Sequence, residues 1–133
     1  MKRIFLIALA FSLGLLFCTE VSAQKKDDTR RVFANGTISV NTTNLCKDVD
    51  GYMGPTPIDI RIKNDTIIDI IPLSNYESPA YFRVACEILK KWIGLSTKEG
   101  LELEVDAFSG ATFSTEALIE NVRAGISKAV EKQ

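Results

Sequence analysis

Three isoleucines, Ile58, Ile60 and Ile62, alternate with Asp59, Arg61 and Lys63, the period of a strand with one buried and one solvated face. Asn64-Asp65 then supplies a tight turn into a second apolar stretch over residues 66–71, so the segment reads as a hairpin. A sheet with one apolar face must be covered. Further on, Ser78 is a candidate N-cap and Pro79 occupies the first helical position, where its missing N–H is harmless. Tyr81, Val84, Ala85, Ile88, Leu89 and Trp92 recur at helical spacing up to Gly94, which predicts a core-facing stripe. A second helix is predicted over residues 114–131, with Leu118, Ile119, Val122, Ile126, Ala129 and Val130 on one face. Leu101, Leu103 and Val105 alternate with Glu102 and Glu104 and predict another strand. Residues 32–45 read as short strands around an Asn35-Gly36 turn, and residues 51–57, with two glycines and two prolines, as a loop. The expected fold class is α+β: one small, mainly antiparallel sheet with two main helices packed against it.

The N-terminal stretch stands apart from this pattern. Lys2 and Arg3 precede an apolar run over residues 4–17, followed by Glu20 and by Val21-Ser22-Ala23 before Gln24, the order of a secretory signal peptide. The run has 14 residues, whereas a membrane-crossing helix needs about 20. An uncleaved anchor and a lipid-modified Cys18 are the alternatives, the latter disfavoured by bulky Phe17. The expected organisation is a signal at 1–23, a charged polar tether at 24–31 and one domain at 32–133, placing the protein in the periplasm or on the outer face of the membrane.

Loss of residues 1–23 leaves 110 of 133 residues, with 14 Lys and Arg against 16 Asp and Glu, a net charge of −2. There is no basic surplus to neutralise phosphates along a nucleic acid, which excludes DNA or RNA as the main partner. The chain has no histidine, so Ser-His-Asp triads, Cys-His dyads and imidazole-ligated metals are excluded. Cys46 and Cys86 remain after signal removal. An exported compartment permits a disulfide, and both a bridge and two separate thiols are open readings.

Residues 106–115, Asp-Ala-Phe-Ser-Gly-Ala-Thr-Phe-Ser-Thr, lead into the last predicted helix. Free N–H groups and the positive dipole end at such a terminus stabilise an anion. Gly110 and Ala111 leave the backbone open to close approach. An ordinary N-capped loop uses the same residues, so physical chemistry alone leaves both readings standing.

Asp106 to Thr112 resembles the Asp-x-x-Ser-Gly-Ala-Thr motif of the FMN-binding domain family, which includes FMN-carrying subunits of the sodium-translocating NADH:quinone reductase and of Rnf complexes. Gly51-Tyr52-Met53-Gly54-Pro55 before alternating aliphatics, Asn64-Asp65-Thr66-Ile67 and Glu77-Ser78-Pro79 resemble further landmarks of that family in the same order. The likeness spans residues 45–126. It departs at Ser114-Thr115, where the family usually has Thr-Ser, and in the short N-terminal signal that replaces a long anchor.

The resemblance implies FMN joined to Thr112 as a phosphoester, attached by a flavin transferase that uses FAD as donor, with Ser114 or Thr115 as fallback positions. It implies that Ser109, Gly110 and Ala111 surround the phosphate and that Asp106 orders the loop and is read by the transferase; an Asx-turn is the alternative role for Asp106. Glu77, Gly54 and Pro55 are implied near the flavin. Tyr52 and Phe113 are candidates to stack on its ring, whereas Tyr81 reads as core. The implied function is an exported flavoprotein passing electrons between a membrane-bound reductase and an extracytoplasmic acceptor. An exported binding or scaffold module of the same fold without flavin is the alternative. A self-sufficient enzyme is disfavoured, since 110 residues leave little for a separate substrate pocket.

Overall fold

Four strands pair in chain order, all antiparallel: β1 (Arg30–Val32), β2 (Ile38–Asn41), β3 (Ile58–Lys63) and β4 (Thr66–Pro72). This is a computed structural model, and it describes residues 28–131. The expected signal and residues 24–27 of the expected tether lie outside them. Arg30 and Arg31 pair with Val40 and Ser39, so the folded unit starts two residues before the expected boundary at Val32.

The register places Val40 beside Ile60 and Ile60 beside Ile70, an apolar row across the inner face, and all three are buried. Asn64 and Asp65 have φ of 51° and 61°, the left-handed pair that a two-residue hairpin turn of matching twist requires. β4 does not alternate. A bulge at Arg61/Ile62 moves its register by one residue, so Ile67 and Ile70 face the core while Ile68 and Asp69 face water.

Helices α1 (Pro79–Cys86), α2 (Thr97–Glu102) and α3 (Thr112–Ala129) cover the inner face, with a 3₁₀ turn at Glu87–Lys91 extending α1. The α+β expectation is borne out. α3 lies on β2 and β3 and packs against α1. It comes close because Gly125 has no side chain: a Cβ there would sit 2.8 Å from Ile60 Cγ2. Where β2 ends, the buried Thr42 hydroxyl donates to Asn121 Oδ1 of α3 at 2.5 Å and accepts from Ile58 N at 2.9 Å, while Asn121 Nδ2 donates to Ala117 O at 2.8 Å. Every polar atom brought in with Asn121 is thereby satisfied. At the other end of the core, fully buried Trp92 donates its indole N–H to Gly100 O at 3.0 Å.

Three local expectations are corrected. Residues 101–105 do not form a strand: Leu101 and Glu102 finish α2, and Leu103 to Val105 are irregular. Ser96 Oγ accepts from Glu99 N, and the Glu99 carboxylate accepts from Ser96 N. This capping box starts a helical turn that consumes half of the alternating run, although Leu103 and Val105 still pack against the core. The stripe on α1 is displaced by one residue. Phe82, Ala85, Ile88, Leu89 and Trp92 are buried, while Tyr81 and Val84 are exposed, so Tyr81 is not a core residue. The chain tightens to 3₁₀ after Cys86, and a shorter turn rotates the apolar face relative to an unbroken α-helix. Finally, α3 begins at Thr112, not Ser114, and ends at Ala129, leaving Val130 exposed.

Cys46 and Cys86 are separate thiols. Burial and then the Glu120 carboxylate push Cys46 up; burial and then Glu87 push Cys86 up to about 11. Both groups are held protonated and weakly nucleophilic at neutral pH.

Candidate functional site

Residues 50–55 fold back on themselves: Asp50 bridges Pro55, and Gly51 N donates to Gly54 O at 2.8 Å. Gly54 has φ of +139°, a conformation that favours glycine at this turn. The turn presents Tyr52 and Met53 at its tip. Their backbone amides point inward to Glu77, just ahead of α1, which is buried. Glu77 Oε1 accepts from Tyr52 N at 2.7 Å and from the Ser114 hydroxyl at 3.0 Å, and Oε2 accepts from Met53 N at 2.9 Å. Asn75 Oδ1 in turn fixes Glu77 N at 3.0 Å. One carboxylate therefore joins the glycine loop, the start of α1 and the first turn of α3.

These three elements enclose a cleft of about 640 Å³, within the range of roughly 300–1,000 Å³ that takes drug-sized ligands. Its rim is aromatic. Tyr52, Tyr76, Tyr81 and Phe113 are 74%, 84%, 67% and 62% exposed, and the rings of Tyr52 and Phe113 meet with centroids 6.4 Å apart and planes tilted by 34°. Large apolar groups gathered around one concavity mark a place where a ligand or partner is received.

The opposite wall is the N-terminus of α3. Ala111, at the N-cap, has no side-chain acceptor, and no side chain caps the helix. Gly110 has φ of +86°, and nothing lies within 4 Å of where its Cβ would be. Free helical N–H groups and the dipole thus face open space, an arrangement that favours an anion. Three hydroxyls sit in this first turn. Ser114 is buried on Glu77, and Thr115 is buried donating to Ala111 O at 2.6 Å. Thr112 is exposed, its hydroxyl reaching only Phe108 O at 3.5 Å, the outer limit of a hydrogen bond.

Of the residues predicted from sequence, Thr112, Gly110, Ala111 and Glu77 line the cleft together. Ser109 and Asp106 are exposed on the approach loop and are not among its walls. Gly54 contributes by shaping the turn that carries Tyr52 and Met53. Sequence reasoning did not place Met53, Tyr76 or Tyr81 in the site, it offered Ser114 only as a fallback attachment position and not as a partner of Glu77, and it gave Gly51 no reason. A Cβ on Gly51 would lie 2.0 Å from Glu77 Oε1. The paired glycines around Tyr52-Met53 were the available signal for that close approach; for Tyr76 there was only its position beside Glu77.

A bare helix N-terminus on one wall and an apolar, aromatic rim on the others fit a ligand with an anionic end and a flat aromatic end. The cleft is thus suited in shape and polarity to a phosphate-bearing aromatic group. Residues 51–127 match the sequence model of the FMN-binding domain, and the chain belongs to that family. Over 86 residues it is 33% identical to the NADH:acrylate oxidoreductase of Vibrio harveyi, a match covering 61% of this chain and 7% of that protein. The chain thus corresponds to a small part of that relative. No solved structure matches it.

Proposed function

We propose that this protein is an exported electron carrier that holds FMN as a phosphoester of Thr112. The observation that carries the reading is the sorting of hydroxyls at the head of α3: Ser114 and Thr115 are buried and engaged, and Thr112 is exposed at the cleft. In the transfer, Thr112 Oγ bonds to the phosphorus on the flavin side of FAD as the pyrophosphate bond breaks. AMP leaves with the bonding pair, and the hydroxyl proton passes to the flavin transferase. The uncapped N–H groups of the first turn then face the phosphate charge, and Tyr52, Phe113 and the flanking tyrosines supply aromatic and apolar surface for the ring. FMN, when bound, supplies the redox chemistry; the protein orients it and limits water.

Export rests on the basic, apolar and small-residue order of residues 1–23. The partners are a FAD-dependent flavin transferase and a membrane-bound reductase or another redox protein. The oxidoreductase relative contains the matching stretch within a far longer chain, which supports a role in passing electrons to or from a larger flavoprotein.

Co-expression with a flavin transferase, followed by digestion and mass spectrometry, tests the linkage. The peptide containing Thr112 gains the mass of FMN less one water, and Thr112→Ala abolishes the gain. A folded protein whose Thr112 peptide stays unmodified overturns the linkage, and labelling that persists in Thr112→Ala moves it to another hydroxyl.

A further inference from the structure

We propose that Glu77 is the positioning residue of the flavin cleft, a buried latch that sets the Tyr52-Met53 wall against the head of α3, and that Gly51 is glycine so that this latch can close. What the cleft holds rests on the flavin reading above; the latch itself rests on geometry. A carboxylate offers about four lone-pair sites, and three here are used by donors from two elements far apart in sequence: Tyr52 N, Met53 N and Ser114 Oγ, at 2.7, 2.9 and 3.0 Å. Glu77 therefore acts through others. Its oxygens are occupied by the wall and the helix, and the surface offered to a ligand belongs to Tyr52, Met53 and Phe113.

Gly51 gives an independent sign of the same contact. Its φ is not in the left-handed region, so backbone freedom does not demand glycine there. Space does. A Cβ would meet Glu77 Oε1 at 2.0 Å, whereas its next neighbour, Thr56 Cγ2, lies at 3.1 Å. The site excludes a methyl group chiefly because the carboxylate is present. Without the latch, the loop keeps its own closure, the Asp50–Pro55 bridge and the Gly51–Gly54 bond, but the contact between the Tyr52 and Phe113 rings loses the strut that maintains it.

Hydrogen exchange on the flavin-free protein tests the latch directly. In Glu77→Ala the amides of Tyr52 and Met53 exchange faster by about tenfold or more, the loss expected for a bond to a charged acceptor. Glu77→Gln is more discriminating. Its carbonyl oxygen replaces Oε1 and keeps Tyr52 protected, while the amide nitrogen that replaces Oε2 cannot accept from Met53, so the Met53 amide alone accelerates. Gly51→Ala reproduces the Glu77→Ala pattern, yet added to Glu77→Ala it changes exchange by less than about twofold, because the two substitutions break one interaction. Unchanged exchange in Glu77→Ala, or additive effects in the double variant, overturns the latch. The positioning role is read in FMN-loaded protein by visible circular dichroism of the flavin: Glu77→Ala shifts the spectrum and Glu77→Gln restores part of it. Accelerated exchange with an unmoved flavin spectrum reduces Glu77 to a loop anchor and overturns its role in the cleft. Failure of Thr112 to carry FMN is a separate result, seen by mass, and leaves the exchange measurement interpretable.

Discussion

The core beneath α3 and the cleft at its head are held by opposite means. Under the helix, Ile60, Ile62, Ile67, Val122 and Ile126 are buried against one another, and contact is distributed so that no single pair is indispensable. At the head, exposed Tyr52, Met53, Tyr76, Tyr81 and Phe113 contribute little burial, and the loop is tied to the helix through one carboxylate. Stability and site geometry are therefore separable here. Changes under the helix alter how much protein is folded; changes at its head alter what the folded protein can hold.

Three measurements put that separation at risk, taken from the largest effect downward. Trp92→Ala removes a fully buried ring and its bond to Gly100 O, for an expected loss of about 3–5 kcal/mol, read as a lower urea midpoint. If the fraction that remains folded still accepts FMN at Thr112, the two regions are independent; a folded variant that cannot be labelled would join them. Gly125→Ala places a methyl group 2.8 Å from Ile60 Cγ2 and destabilises by about 1–3 kcal/mol, less if the helix shifts outward, with Ile60→Val as the compensating change. Thr112→Ala abolishes labelling but changes the unfolding free energy by less than about 0.5 kcal/mol, as substitutions at exposed sites do. A large stability loss there would break the comparison from the other side.

A separate effect is a pH dependence confined to alkaline solution. The folded pKa of Cys86 is raised to about 11 from an ordinary 9.0, so the native state holds the thiol proton more tightly than the unfolded chain. This contribution is fully present below pH 9 and is lost as pH rises towards 11. Chemical denaturation across that window gives a falling midpoint whose slope diminishes in Cys86→Ala.

Much of the sheet was legible because its signals are local. The alternation over β3 and the Asn64-Asp65 turn act within a few residues, and the pairing follows from them. The short alternation at Leu101, Leu103 and Val105 misled because a stronger local signal, Ser96 with Glu99 three residues on, acted first. Tyr81 misled for a subtler reason: a stripe counted at 3.6 residues per turn assumes an uninterrupted helix, and the helix tightens after Cys86. The start of α3 was read two residues late because Ala111 has none of the oxygen atoms that mark an N-cap. In the site, the motif ending at Thr112 was readable as a segment, and the structure brings its last three residues, Gly110 to Thr112, to a cleft. The task of Glu77 was not readable, since its partners Tyr52, Met53 and Ser114 lie 24 to 37 residues away, and no local pattern encodes a contact of that range.

Arg30 Nε, in the first strand, donates to Ala129 O, at the last residue of α3, at 3.2 Å. The entry and exit of the folded unit therefore lie side by side. A unit whose ends meet is portable: it can be spliced into a longer polypeptide, or cut free of one, without stretching a linker across the body or disturbing the interior. Ends that meet in this way suit a setting like that of the oxidoreductase relative, in which the matching stretch is 7% of the chain.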